Sequence, residues 1–191
     1  MSKAIYQNLL ENGIVKRNGY KELLDWLIQK GFFELPAEIE GFHSEEGGLA
    51  KHAAEVHTRL ILEYTNELAM RGMSRLSAKM EESIAIIALF HELDQIDSIA
   101  KQDGKFIEVP EYLHLPKQQK TLYLIRNFMN LTAVETEAIT YIHDGNDDCF
   151  RDNSLALLAY NAHKKAKYLD SETYKDKKKA FSFKVGEGPT K

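Results

Sequence analysis

Seven histidines are the residues of this sequence best suited to chemistry. Three of them, His52, His91 and His163, lie within or at the end of segments with the apolar spacing of core helices. Glu92 follows His91 directly, so an imidazole and a carboxylate stand where a seven-residue apolar run ends. Imidazole and carboxylate groups are common protein ligands of divalent transition metals. These four residues are therefore candidate metal ligands.

The apolar spacing also predicts that the histidines face the core. His52 comes three residues after Leu49 on the apolar stripe of its segment, and His163 comes two turns after Leu155. Taken singly, each is better explained as a core histidine with satisfied hydrogen bonds, and His91 as part of a plain helix end. Taken together, three such histidines and a carboxylate favour one shared site, because helix bundles build metal sites from side chains on facing helices.

The elements that must position these residues are predicted to be α-helices. Four prolines and 11 glycines divide the chain, and most segments between them have helical spacing. The predicted helices cover 20–30, a long segment after Gly48, 79 to about 95, 117–129, 132–143 and 154–169. Thr132 with Glu135 three residues later predicts a capping box. Residues 105–109, cut by Pro110, predict a short edge strand or a loop. The expected fold is an all-α helical bundle with at most a short β-hairpin or edge strand.

The length of 191 residues favours one domain, which we assign to residues 1–170. Residues 171–191 are a basic C-terminal tail with six lysines against three acidic residues. A solvated tail is the favoured interpretation, and a dedicated site for an anion or a nucleic acid is the alternative.

Composition excludes several classes of protein. A hydrophobic content of 43% with 28% charged residues argues against wholesale disorder. The single cysteine, Cys149, excludes an internal disulfide and a multi-cysteine zinc site. The net charge of −4 lacks the basic footprint of a general nucleic-acid binder. The short apolar runs and the polar start of the chain predict no membrane span and no signal peptide, and hence a cytoplasmic protein.

Four segments, in this order, resemble the HD-domain phosphohydrolase superfamily. FHSEEGGLAKHAAEV (42–56) is similar to the glycine-rich lead-in and helix that deliver the first metal histidine of bacterial and phage members. IIALFHELDQI (86–96) resembles the buried helix that ends in a paired His and Asp. TLYLIRNFMNLTAVETEAITYIHDG (121–145) and ALLAYNAHKKAKYLD (156–170) resemble the later helices. The resemblance covers roughly residues 20–170 and implies an HD-type bundle.

The resemblance also implies a metal-ligand set, and the chain departs from the family at two of its four positions. The implied ligands are His52, His91, Glu92 and His163. Glu92 and His163 stand where the family has aspartates, so the set has one formal negative charge instead of two. A set rich in imidazole favours a divalent transition metal ion, Mn, Fe, Co, Ni or Zn, over Mg²⁺.

Further residues are candidates for contact with a substrate. His43 and His143 are candidates for phosphate contacts, a second metal ion or acid–base assistance, and polar loop residues are the equal alternative. Lys51, Lys117 and Lys120 are candidates for the local positive charge that an acidic protein needs to accept a phosphate, or else surface lysines. Of these, His143, His43 and Lys117 are the predicted catalytic residues.

Two more carboxylates follow the predicted metal residues along the chain. Asp94 and Asp97 either orient a metal-binding histidine or are solvated residues at the helix end. The solvated interpretation is favoured. A basic residue that the subfamily often has shortly after the paired His and Asp falls at Gln95 in this sequence.

Two functions follow as hypotheses. The first is a metal-dependent phosphohydrolase, a phosphomonoesterase or phosphodiesterase, that acts on a nucleotide or related phosphoester through the altered His/Glu site. The second is a catalytically silent HD-fold protein that binds a nucleotide or a protein partner. The expected partner is a small phosphorylated or nucleotide ligand, for which a protein partner is the alternative in the second hypothesis. Neither hypothesis includes a membrane or general nucleic-acid binding. The oligomeric state is left open.

Overall fold

The computed structural model describes residues 2–110 and 114–170. Within these residues the chain forms eight α-helices, two 3-10 helices and one two-stranded hairpin, which confirms the predicted fold class. The helices are α1 Ser2–Glu11, α2 Tyr20–Gln29, α3 Gly48–Met70, α4 Ala78–Phe90, α5 Lys117–Arg126, α6 Ala133–Tyr141, α7 Asp147–Asp152 and α8 Ser154–Asp170. The predicted basic tail, 171–191, lies outside the described residues.

The centre of the bundle is α4. Every residue from Ser83 to Phe90 is buried, as expected for a helix that is apolar on all sides. The long helix α3 packs against both α4 and α8, and α6 packs against α4 and α8. None of the helices in the described part of the chain has both the length and the apolar character that crossing a membrane requires.

The end of α4 differs from the prediction and matters for the site. The helix stops at Phe90 instead of continuing to about residue 95. His91 is its C-cap residue, Glu92 leaves the helical conformation with φ −119°, and a 3-10 helix covers Leu93–Gln95. Because the helix ends here, the Glu92 side chain does not follow the α-helical arrangement and lies near His52 on α3.

The hairpin pairs β1, Ile99–Gln102, with β2, Lys105–Glu108. The predicted strand-like stretch is thus a real strand, whereas its partner β1 was not predicted. Asp103 and Gly104 form the two-residue turn with φ of 50° and 77°. Asp-Gly is a typical sequence for such a turn, so this dipeptide was the signal for the hairpin.

Helix α1 was also not predicted from the sequence. Its Tyr6 ring is fully buried and donates its hydroxyl hydrogen to the carbonyl oxygen of Leu89 at 3.0 Å. The Tyr20 hydroxyl donates to the carbonyl oxygen of Tyr6 at 3.0 Å. These contacts attach α1 and α2 to the C-terminal half of α4, which carries the predicted metal residues at its end.

The predicted capping box at Thr132 is confirmed and belongs to a larger buried network. The Glu135 carboxylate is fully buried and accepts two hydrogen bonds of 2.9 Å from the Arg17 guanidinium. It also accepts hydrogen bonds from the Ser83 hydroxyl at 2.7 Å and from the Thr132 main-chain N–H at 2.8 Å. Glu135 therefore connects the segment before α2 with α4 and α6.

Replacing Glu135→Ala should lower the free energy of unfolding by about 3 kcal/mol. The Arg17 guanidinium keeps its ion pair with Glu82 but loses both hydrogen bonds to the buried carboxylate, and the Ser83 hydroxyl and the Thr132 N–H lose their acceptor. Urea denaturation of the two proteins measures this loss. Asp148→Ala is the matched control, since Asp148 pairs with Arg151 in the exposed α7 and such pairs contribute less than about 1 kcal/mol. Equal losses in both variants would contradict a structural role for the Glu135 network.

Candidate metal centre

Three helices bring the predicted metal residues to one place. His52 lies on the face of α3 that packs against α4 and α8, and His163 lies on the buried face of α8. His91 and Glu92 follow the C-terminal end of α4. The three histidines are between 0 and 1% exposed and Glu92 is 8% exposed. One ligand atom from each of the four residues lies within 4.8 Å of every other.

The nitrogen atoms of the three rings converge. His52 Nε2 lies 3.3 Å from His163 Nδ1, which lies 3.2 Å from His91 Nε2. Ligand atoms about 2.0–2.1 Å from a zinc-like ion, at the corners of a tetrahedron, lie about 3.3 Å apart. These two separations between ring nitrogens therefore match those of ligand atoms in a tetrahedral metal site.

Hydrogen bonding alone does not satisfy these nitrogen atoms. The His91 Nδ1–H donates to the carbonyl oxygen of Ala88 at 2.8 Å, so the neutral His91 ring presents a lone pair at Nε2. His163 Nδ1 faces both that lone pair and His52 Nε2. A hydrogen on His52 Nε2 satisfies the contact with His163 but leaves the lone pairs of His163 Nδ1 and His91 Nε2 facing each other. A hydrogen on His163 Nδ1 can point at only one of the two neighbouring nitrogen atoms and leaves the other without a donor. A cation between the rings would satisfy all three nitrogen atoms at once.

Glu92 is the carboxyl group of the cluster and carries a negative charge when it is ionised. Its Oε2 atom lies 3.8 Å from His52 Nε2 and has no hydrogen-bond partner within the described part of the chain. Its Oε1 atom lies 4.0 Å from His91 Nε2. Burial, and then the neighbouring Asp94, raise the pKa of Glu92 to about 8. A buried carboxylate oxygen without a partner beside three imidazole lone pairs fits a divalent cation, so this His/Glu cluster can hold a metal ion.

The rings of the cluster are held in the neutral form that binds metal. Burial is the largest cause, and it lowers the pKa of His91 to about 3 and that of His143 to about 4. Burial and the neighbouring histidines also lower the pKa values of His52 and His163. At pH 7 no proton has to leave these rings before a metal ion binds.

The metal-free protein should lose stability as the pH falls from 7 to 5. Burial lowers the pKa of His57 on α3 to about 4. It also lowers the pKa of His91 to about 3 and that of His143 to about 4. In the unfolded chain these histidines take up a proton near pH 6.5, whereas in the folded protein they stay neutral to lower pH. The free energy of unfolding is therefore unaffected by them above that pH and decreases below it. Each such ring costs about 2 kcal/mol at pH 5.

Two carboxyl groups act in the opposite direction, because burial raises the pKa of Glu92 to about 8 and that of Asp94 to about 6. Their contribution to stability is lost as the pH rises through those values, but the depressed histidines outnumber them. Urea denaturation at both pH values, after dialysis against a chelator, measures the net effect. A metal-free protein that is equally stable at pH 5 and pH 7 would contradict the buried neutral histidines.

His143, a predicted catalytic residue, lies at the edge of the cluster. Its ring centroid is 4.6 Å from that of His163 and 5.6 Å from that of His91. The main chain of His91 raises the pKa of His143, against the larger effect of burial. His143 is half-buried, whereas the four candidate ligands are buried. It therefore lies between the candidate metal site and solvent.

His43, the second predicted catalytic residue, is buried beside the cluster and outside it. Its ring centroid is 6.3 Å from that of His52. Its Nδ1 lies 3.3 Å from Glu45 Oε1, and its Nε2 lies 3.5 Å from Glu55 Oε2. Gly48 makes this packing possible, because a Cβ there would lie 1.9 Å from the His43 carbonyl oxygen. The His43 Nδ1 atom also lies 3.2 Å from Lys51 Nζ, so the ring nitrogens of His43 face these charged side chains and not the cluster.

Lys117, the third predicted catalytic residue, lines a cleft of about 430 Å³. The other polar side chains of the cleft belong to Glu38, Asp94, Gln95, Ser98 and Glu108. The charges of Glu38, Asp94 and Lys117 all change the pKa of Glu92, so the cleft adjoins the Glu92 side of the cluster. Three of its side chains are acidic and one is basic.

The favoured interpretation of Asp94 as a solvated residue is wrong. Asp94 is buried, its main-chain N–H donates to the Thr121 hydroxyl at 3.1 Å, and that hydroxyl donates to Asp94 Oδ1 at 3.2 Å. Asp94 contacts α5 through Thr121 and does not orient a histidine of the cluster. Asp97 does have the expected solvated position, with its side chain 58% exposed and paired with Lys30.

Sequence reasoning missed Lys167, the lysine on the same face of α8 as His163. It follows His163 by four residues, which is the spacing that places two side chains on one side of a helix. Its Nζ lies 3.0 Å from Glu38 Oε1 and 5.7 Å from the centroid of the Phe42 ring. The Phe42 ring in turn lies 5.0 Å from the His52 ring. The spacing from His163 was the signal in the sequence that could have identified Lys167.

Comparison of this chain with protein-family models, with curated proteins and with solved structures finds no match.

Proposed function

We propose that this protein is a metal-dependent phosphohydrolase that acts on a nucleotide or a related phosphoester through a divergent HD-type site. The observation that carries the proposal is the convergence of His52, His91, Glu92 and His163 with ring nitrogens 3.2 and 3.3 Å apart. The same four residues occupy the positions where the sequence resembles the metal ligands of the HD-domain superfamily. A helical bundle with a ligand group at the end of its central helix supports that relationship.

The donor set favours a transition metal. Three imidazole nitrogens and one carboxylate suit Zn, Fe, Mn, Co or Ni, whereas Mg²⁺ prefers oxygen ligands and keeps its water. When bound, such an ion would lower the pKa of a water molecule and neutralise charge on phosphoryl oxygens.

The three other predicted site residues suit proton transfer, phosphate binding and the positioning of a loop. His143 is half-buried beside His163 and is neutral at pH 7, so its free ring nitrogen is available to a substrate or to a proton in transfer. Lys117 lines the adjoining cleft, where its charge suits a phosphate. His43 lies behind this region, against Glu45 and Glu55, and in our proposal it positions the loop before α3 and has no contact with substrate.

A hydrolysis panel tests the function. It contains nucleoside mono-, di- and triphosphates, cyclic nucleotides and bis(p-nitrophenyl) phosphate, each with Mn²⁺, Co²⁺, Ni²⁺, Zn²⁺ or Mg²⁺. We expect hydrolysis of at least one class that depends on a transition metal and falls at least about 100-fold in His143→Ala. The control is His114→Ala, because His114 is exposed and does not contact the cluster. Absence of hydrolysis throughout the panel would contradict the proposal.

The burial of the ligands favours a second candidate function. Metal sites with four protein ligands and no open position are typically structural. In this chain all four ligands are at least nine-tenths buried. A catalytically silent HD-fold protein, in which the ion fixes the helices while the surface binds a nucleotide or a protein partner, is consistent with that closure.

Restoring the family's aspartates distinguishes the two functions. If the protein is catalytically silent, the double change Glu92→Asp and His163→Asp should shorten one ligand and remove one imidazole. The change opens a coordination position on the ion, so the double variant should gain metal-dependent hydrolysis. If the protein is a phosphohydrolase, the unchanged protein is already active, and the same double change should alter which metal ion supports the highest activity. The hydrolysis panel and the metal content of both proteins measure this. A double variant that binds no ion would contradict the HD-type alignment of these positions.

A further inference from the structure

The proposed substrate carries negative charge, yet the cleft beside Glu92 is mainly acidic. Glu38, Asp94 and Glu108 line it together with a single basic side chain, Lys117. Lys51 on α3 was also predicted to attract a phosphate. Its Nζ instead pairs with Glu45 Oε1 at 3.0 Å. Lys120, the third lysine predicted for this role, is buried on α5, where its charge opposes the rise in the pKa of Asp94. The side chains that line the cleft thus carry more negative than positive charge, so a further cation beside it would favour the binding of a phosphate.

Lys167 is positioned to supply that charge. It lies one helical turn after His163, and its Nζ lies over the Phe42 ring that covers His52. Its charge lowers the pKa values of His52, His91, His143 and His163, and also that of Glu92. One lysine thus acts electrostatically on every residue of the cluster and on His143.

The charge of Lys167 disfavours the binding of a metal ion unless an anion lies beside the lysine. A lysine charge near a metal site repels the cation, so Lys167 weakens metal binding when its own charge is not balanced. In this structure the balance comes from Glu38, whose Oε1 lies 3.0 Å from Lys167 Nζ. Glu38 also lines the cleft, and the pair is partly exposed, with 39% of the lysine side chain and 43% of the glutamate side chain accessible. A ligand from solvent can therefore reach this ion pair.

We propose that Lys167 is the anion-binding residue of the site and that Glu38 occupies it when no ligand is present. A phosphate oxyanion of the ligand replaces the Glu38 carboxylate on Lys167, and Glu38 is released into the cleft. This inference deepens the proposed function and rests on it, because it adds the anion site of the same substrate. Glu38 thereby becomes a built-in competitor of the ligand.

Two ion pairs on α8 give a matched test. Lys165, two residues before Lys167, pairs with Glu63 on α3, away from the cluster. Isothermal titration of inorganic phosphate is carried out on the full chain and on Lys167→Met, Lys167→Arg, Glu38→Gln, Lys165→Met and Glu63→Gln, after dialysis to remove unbound metal. The metal content of each sample is measured in parallel.

We expect Lys167→Met to weaken phosphate binding about tenfold or more and Lys167→Arg to retain most of it. Glu38→Gln should tighten binding about twofold to fivefold, since the competing carboxylate is gone. The controls Lys165→Met and Glu63→Gln change the net charge by the same amounts and should leave the affinity within about twofold.

The outcomes separate the two proposals. Phosphate binding that is absent from the unchanged chain, or equal in Lys167→Met and Lys165→Met, would overturn the assignment of Lys167 even if the protein contains metal. Phosphate binding that depends on Lys167 in a protein that binds no metal would overturn the proposed function and retain the anion site. Equal tightening by Glu38→Gln and Glu63→Gln would show that Glu38 is not the competitor.

Discussion

His91→Ala should weaken the binding of a transition metal by more than about 100-fold while the protein stays folded. Changing a residue that only supports a ligand typically costs 10-fold to 100-fold in metal affinity, and His91 is itself a candidate ligand. Its Nε2 lies 3.2 Å from His163 Nδ1, and its Nδ1–H is fixed on the carbonyl oxygen of Ala88, so the Nε2 lone pair is directed at the cluster. Competition with a chromophoric chelator measures the affinity for Zn²⁺ and Mn²⁺.

His57→Gln is the control for the loss of a buried histidine. His57 lies on α3, as His52 does, but it is not part of the cluster. Its replacement should leave the metal affinity within about threefold of the original. Circular dichroism of both variants verifies the helical fold. Retention of full metal affinity in a folded His91→Ala protein would remove His91 from the ligand set.

Saturation with a transition metal should raise the melting temperature by roughly 8–16 °C. An ion present at about 1,000 times its dissociation constant stabilises the folded state by about 4 kcal/mol, since the unfolded chain does not hold the four ligands together. For a chain of this size, 1 kcal/mol corresponds to about 2–4 °C. Calorimetry of the chelator-treated protein, with and without added Zn²⁺ or Mn²⁺, measures the shift.

Magnesium provides the control for the choice of metal. At the same concentration Mg²⁺ should shift the melting temperature by less than about 2 °C, because a site with three imidazoles and one carboxylate offers it few oxygen ligands. Glu92→Gln should reduce the shift caused by Zn²⁺, since the only carboxylate of the cluster is lost. An equal shift with Mg²⁺ would contradict the assigned imidazole ligands.

Local sequence signals predicted the helices that position the site. The apolar run before His91 has no polar side, and a helix that is apolar on all sides lies at the centre of the core. Thr132 and Glu135 specify their capping box within four residues of sequence. Each of these signals is contained in one helix, so neither requires knowledge of how the helices pack.

Some of the missed features depend on contacts between distant segments. The burial of Asp94 follows from the packing of the 3-10 helix against Thr121 on α5, which no local spacing reveals. The Lys167–Glu38 ion pair joins residues 129 positions apart in the sequence. At the early end of α4, His91 and Glu92 lie beside His163 on α8 and His52 on α3, contacts that no local spacing reveals.

Elemental analysis of the tag-free protein, compared with His52→Ala, tests the central claim most directly. The account predicts about one transition-metal ion, Mn, Fe, Co, Ni or Zn, in each chain of the original protein, and its loss in a folded His52→Ala variant. A protein that contains no such ion, even after incubation with Mn²⁺ or Zn²⁺, or a His52→Ala variant with unchanged metal content, would contradict it.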